Sequence, residues 1–219
     1  MDIHLIPGLG SDHRIFEKLL PNAPDRHAHD WPQMAEGSTL RHFAEALCER
    51  IDKSRPHALI GMSMGGMVVQ EMASISDPAH VIIISSWKGP HEMPPPIRVL
   101  RGKHPERLLN KRFLQHSLPL VRWQMGVEEP ESAALFDSFL AVHTIEQLKV
   151  QINACLEWEG PVFPVRDLLH LHGDRDRLMP AEYISGAQVV KGGTHFMVYD
   201  LGSHISGLIH TVLEGKGFN

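Results

Sequence analysis

The sequence predicts an α/β fold, a mostly parallel sheet with helices on both faces. Three observations carry this. Short apolar runs of strand length, Ala58-Leu59-Ile60 and Val81-Ile82-Ile83-Ile84, read as buried strands. They alternate with segments of helical periodicity, as crossover connections between parallel strands require. The apolar fraction, 42% of 219 residues, suffices for one domain, 1–219, with a sizeable core.

Taken in order, Ile3 to Ile6 is a strand and Pro7-Gly8-Leu9-Gly10-Ser11 a tight loop. Helical spacing follows in Arg14 to Leu20, with Ile15, Phe16, Leu19 and Leu20 on one face. Arg26 to Trp31 reads as a short polar strand. Ser38 or Thr39 caps an expected helix from Leu40 to Asp52 that buries Phe43, Leu47 and Ile51. Next come the strand Ala58 to Ile60, the turn Gly61-Met62-Ser63-Met64-Gly65 and a helical run from Gly66 to Ala73. Asp77-Pro78 closes that helix, and Val81 to Ile84 follows. Beyond Trp87 the rhythm breaks at Gly89-Pro90 and Pro94-Pro95-Pro96. Three helical patterns, Ile97–Gln115, Leu118–Met125 and Glu131–Trp158, make residues 88–158 a helical lid inserted between two strands; the last pattern is open to a break near His143-Thr144. Met93, Leu100, Phe113, Leu114, Trp123, Met125, Phe136 and Phe139 are its candidates to face the sheet edge or a pocket, although packing within the lid's own core is the default for any one of them. The basic run Arg98, Arg101, Lys103, Arg107, Lys111 and Arg112 is by default a solvated face, with a preference for an acidic substrate as the lesser alternative. Strands return at Leu168–Leu171, ending in His172-Gly173-Asp174-Arg175-Asp176, and at Ala187–Val190, ending in Gly192-Gly193-Thr194-His195-Phe196. A last helix runs from Gly202 to Leu213.

Composition narrows the function. A formal charge of −5 gives no electrostatic reason for a nucleic-acid partner. No run of about 18 apolar residues offers a membrane span, and the first residues, Met1-Asp2-Ile3-His4, enter a strand without the pattern of a signal peptide. Cys48 and Cys155 read as reduced thiols in helices, and the expected location is cytoplasmic. The sixteen histidines form no H-x-x-x-H or H-E-x-x-H pair, so no metal site is expected.

The chemistry centres on Ser63. A strand that reverses into a helix through G-x-S-x-G pushes the serine hydroxyl out over the sheet edge, and Gly61 and Gly65 leave room where a Cβ would collide. A serine hydroxyl needs a base, and the base needs a partner to fix its tautomer. His195 follows a late strand through a glycine turn; Asp174 and Asp176 follow the strand before it. All stand at carboxyl ends of predicted strands, where open α/β sheets collect reactive groups.

Pro7-Gly8-Leu9-Gly10, Gly61-Met62-Ser63-Met64-Gly65-Gly66, His172-Gly173-Asp174-Arg175-Asp176-Arg177-Leu178-Met179-Pro180 and Gly193-Thr194-His195-Phe196, in this order, resemble the motifs of the α/β-hydrolase family from Ile3 to about Leu213. The resemblance implies an α/β-hydrolase fold with Ser63 as nucleophile, His195 as base and Asp176 as orienting acid. The family's G-x-x-D spacing selects Asp176 over Asp174, which is left to tie the loop. Asp200 follows His195 and falls outside the expected order. The backbone N–H groups of Leu9 and Met64 are the implied oxyanion donors. Against the family pattern, Pro7 replaces the usual His before the first glycine, so the loop must be held differently. Set against the family pattern, the first antiparallel hairpin is expected to be absent, which implies about six strands rather than eight and a sheet edge that a second subunit of a homo-oligomer could cover. A serine rather than an aspartate nucleophile argues against haloalkane dehalogenase or epoxide hydrolase chemistry.

The expected function is hydrolysis of a small carboxylic ester through an acyl-enzyme, without metal or organic cofactor. One alternative keeps the triad for thioester, C–C or lactone hydrolysis, or for cyanohydrin cleavage by a hydroxynitrile-lyase-type acid–base pair. A second is a small-ligand-binding protein on the same fold.

Overall fold

The computed structural model describes residues 1–215. Six parallel strands form one sheet in the order β2-β1-β3-β4-β5-β6. They are β1 Asp2–Ile6, β2 Arg26–Ala28, β3 His57–Met62, β4 His80–Ile84, β5 Leu169–Gly173 and β6 Gln188–Val190. Register runs Ile6↔Gly61, Met62↔Ile84, Ile84↔Leu171 and Gly173↔Val190, so the carboxyl ends of β1, β3, β4, β5 and β6 share one rim.

Side chains alternate across the sheet and feed two cores. On one face Ile6, Leu59, Val81 and Ile83 pack against α1 (Leu40–Cys48) and α2 (Met64–Ser76). On the other Ile3, Leu5, Ile60, Ile82 and Ile84 meet Ile15, Phe16, α7 (Met197–Asp200) and α8 (Gly202–Leu213). Between β4 and β5 lie α3 (Pro95–Arg98), α4 (Lys111–Met125), α5 (Pro130–Val142) and α6 (Ile145–Leu156). Val150 and Ala154 of α6 join the first core, and Phe136 and Phe139 of α5 the second.

Several elements differ from their predicted bounds. Arg14–Leu20 is not a helix: a 3-10 turn covers His13–Phe16, and Leu20 at φ +47° leaves the helical region before Pro21. The second strand keeps only Arg26–Ala28 of the expected Arg26–Trp31. The helix expected to reach Asp52 ends at Cys48. Ile97–Gln115 is not one helix, because Gly102 at φ +66° and His104 at φ +51° turn the chain and Pro105 opens a new 3-10 turn. Conversely α4 continues through Pro119; the carbonyl of Gln115, which loses its amide partner there, sits on an exposed turn open to solvent. The break at His143-Thr144 is present, with Thr144 accepting from the Gln147 N–H as an N-cap.

Candidate active site

Ser63 follows β3 directly and holds φ +54°, ψ −122°, a conformation L residues rarely adopt. Its surroundings force the shape. A Cβ on Gly65 would fall well inside 3.0 Å of the Ile6 and Pro7 carbonyls, and one on Gly61 would strike the backbone of Gly65 and Gly66. The turn is tied down by the Ser63 N–H donating to the Ile84 carbonyl at 2.9 Å and by Ser86 Oγ donating to the Ser63 carbonyl at 2.7 Å.

The loops after β5 and β6 are clamped together. A Cβ on Gly173 would overlap the Gly193 backbone, so glycine lets the two loops touch. The Arg175 N–H donates to the Gly193 carbonyl at 2.8 Å, and Asp174 Oδ1 accepts from the Gly192 N–H at 2.7 Å. Asp174 thus ties the loop, as expected, while Asp176 points inward. Its Oδ1 accepts from the N–H groups of Leu178 (3.0 Å) and Met179 (2.8 Å). Its Oδ2 lies 2.8 Å from His195 Nδ1, and His195 Nε2 lies 3.0 Å from Ser63 Oγ. A carboxylate only accepts, so the imidazole proton sits on Nδ1 and the Nε2 lone pair faces the serine hydroxyl. The three residues are 7%, 4% and 1% exposed at Ser63, Asp176 and His195, so water competes little for these bonds. Asp200 is apart from this group and accepts from Ser132 Oγ.

Leu9 and Met64 line the same cavity as Ser63, and among the described residues neither N–H is taken by a protein acceptor. With Pro7 in place of a histidine, other side chains hold the Gly8–Ser11 loop. The Gly8 carbonyl accepts from Trp31 Nε1 (2.9 Å) and Ser11 Oγ (2.9 Å), and the Gly10 N–H donates to Gln151 Oε1 of α6 at 2.8 Å. Sequence reading missed both Trp31 and Gln151. Trp31 lies in the segment expected as strand, and Gln151 is one polar residue inside a helical pattern, so neither carries a local signal. It also gave His172 no role, although the residue stands in the quoted motif. Buried and lowered in pKa by desolvation, its Nε2 donates to the Met179 carbonyl at 2.7 Å and lies 3.7 Å from Asp176 Oδ2.

The cavity over Ser63 measures about 400 Å³. Of the candidates, Phe113, Leu114, Met125, Phe136 and Phe139 reach it from α4 and α5. Met93 instead lies in the first core, while Leu100 and Trp123 are exposed. Both cysteines are free, buried and helical; Cys155 lines the cavity, its thiol pushed up to about 12 by burial. The one group among the described residues with metal-ligand spacing, Asp12, His13 and Asp30, lies outside the cavity, and its Asp12 is engaged by Arg14. No helix among the described residues is long and apolar enough to cross a membrane.

Comparison with known proteins agrees with this architecture. The fold is similar to a thermophilic esterase from Thermogutta terrifontis, with TM-score 0.75 and 17% identity over 100% of this chain and 91% of that one. It is similar to a hydrolase from Pseudomonas aeruginosa PA01 (TM-score 0.73, 16% identity, 96% and 89% covered). It is also similar to an N-acyl homoserine lactonase (TM-score 0.74, 14% identity, 100% and 90% covered). At these identities the likeness is one of fold. No curated protein matches the sequence significantly. The sequence model of the alpha/beta hydrolase family, however, matches residues 5–206, from the first strand to the last helix and through every loop just described. By that match, and by a six-stranded parallel sheet carrying the family's motifs on one rim, the chain belongs to the alpha/beta hydrolase family.

Proposed function

We propose that the protein is a serine hydrolase that cleaves a small carboxylic ester through an acyl-enzyme. Ser63 Oγ attacks the carbonyl carbon while His195 Nε2 takes the hydroxyl proton. Asp176 holds the imidazole by Nδ1 and stabilises the imidazolium. The Leu9 and Met64 N–H groups receive the oxyanion, each contributing about 3 kcal/mol of transition-state stabilisation. The alcohol leaves with the proton from His195; water then attacks the acyl-enzyme by the same route. The chain itself supplies every group this cycle requires. The segment 88–158 acts as a lid whose α4, α5 and α6 roof the cavity.

The observation that carries this reading is the unbroken hydrogen-bond chain from Asp176 through His195 to Ser63, opening onto a cavity with two N–H donors free to receive an oxyanion. Rapid mixing with a p-nitrophenyl ester tests it. An initial burst of p-nitrophenol equal to the enzyme concentration, absent in Ser63→Ala, is expected. No p-nitrophenol release together with cleavage of a cyanohydrin would favour the lyase use of the same pair, and tight binding without turnover would favour a ligand-binding protein.

A further inference from the structure

The cavity walls carry information about the substrate that the triad does not. Around Ser63 and His195 the lining is almost wholly hydrocarbon, thioether and aromatic: Ile15, Met67, Phe136, Phe139, Leu148 and Ile152 among them. Among the described residues no Asp, Glu, Lys or Arg lines it. Two residues of the basic run of the helical segment have partners elsewhere. Arg98 donates to the carbonyls of His91 and Met93, and Arg101 pairs with Glu159. Arg177, in the loop after β5, stacks over the Trp123 ring and pairs with Glu128. A charged substrate group would therefore lose its water with no counter-charge to meet it.

We propose that the natural substrate class is an uncharged ester bearing one apolar chain of roughly eight carbons, seated in this cavity; this rests on the serine hydrolase reading above. The length follows from the volume. About 400 Å³ holds on the order of a dozen methylene-sized groups at ~30 Å³ each, and the ester itself occupies some of that space. Each methylene moved from water onto these walls favours the bound state by about fourfold at most. Ile152, on α6 and half-buried, sets part of the cavity's extent and is a specificity-determining residue.

The test is a set of p-nitrophenyl esters from acetyl to dodecanoyl, a matching set of acetate esters with lengthening alcohols, and an octanoyl analogue ending in a carboxylate. A small fluorophosphonate that titrates Ser63 is run on the same preparation. In one of the two sets kcat/KM should rise two- to fourfold per methylene to about eight carbons and then level or fall, with the terminal carboxylate costing at least 100-fold. Ile152→Trp should lower the octanoyl-to-acetyl ratio of kcat/KM at least tenfold. If Ser63 labels and esters turn over, but both sets are flat or the carboxylate analogue is cleaved equally well, the cavity inference is overturned and the hydrolase reading stands. If Ser63 does not label and no ester turns over, the hydrolase reading fails and this inference with it.

Discussion

Four histidines gather on one side of the sheet, and they make acid stability a quantitative test of the packing. His4 on β1 is 4% exposed; its Nδ1 lies 3.0 Å from His29 Nε2, and its ring stacks on His27 at 5.2 Å and meets His57 edge-on at 5.9 Å. Burial first, then the neighbouring His29, His27 and His57, pull its pKa from 6.5 to about 4, with Asp2 opposing. Burial and Arg50 bring His29 to about 4 as well, with Asp30 opposing. Between those values the unfolded chain binds protons that the folded one refuses. Stability is therefore fully present above about pH 6.5, falls as pH drops, and levels off below about pH 4. For His4 the full difference corresponds to about 3 kcal/mol, of which about 2 kcal/mol is already lost at pH 5. His29, shifted the same way, adds a loss of the same sign. Urea unfolding from pH 8 to pH 4 reads the loss. Other groups titrate in this range, so the decisive quantity is the comparison with His4→Gln, whose curve should be flatter by about 1 kcal/mol per pH unit between 6.5 and 4. Parallel curves for wild type and variant would refute the reasoning.

Asp176→Asn should lower kcat on the order of 10⁴-fold, because an amide cannot hold the required tautomer. Asp174→Asn, whose side-chain oxygen can still accept from Gly192, should stay within a few-fold; steady-state rates on one ester separate the two. Gly65→Ala places a methyl against the Ile6 carbonyl and should cost at least about 3 kcal/mol in denaturant unfolding, or prevent folding. Gln151→Leu strips the acceptor from the Gly10 N–H and loosens the Leu9 loop, so kcat should fall on the order of tenfold with KM little changed. An unchanged kcat would show that the loop holds without it.

Where one physical term dominates, the sequence was enough. The runs at Leu59-Ile60 and Val81–Ile84 can only be interior strands, because nothing on them tolerates water. Gly61 and Gly65 flank Ser63 because backbone meets backbone there, and that constraint is local. Asp176 was selected over Asp174 by resemblance, and the structure supplies the reason: Asp174 is spent on the Gly192 N–H. The helical segment was harder. Gly102 and Pro105 did signal a break inside Ile97–Gln115, but basic and apolar residues at helical spacing masked it. The expected gap between Gln115 and Leu118 does not occur: α4 runs on through Pro119, where an exposed turn forgives a missing hydrogen bond. Gln151 and Trp31 were out of reach in principle. Each grips a loop residue distant along the chain, and only the packing of α6 and of the segment after β2 brings them there.

The central claim is that Ser63 is made nucleophilic by His195. The most direct measurement is reaction with a fluorophosphonate followed by peptide mass spectrometry, on the wild type and on His195→Ala. The account predicts one adduct, on the peptide containing Ser63, formed at least 100-fold more slowly in the variant. An adduct on another residue, or equal rates in the two proteins, would contradict it.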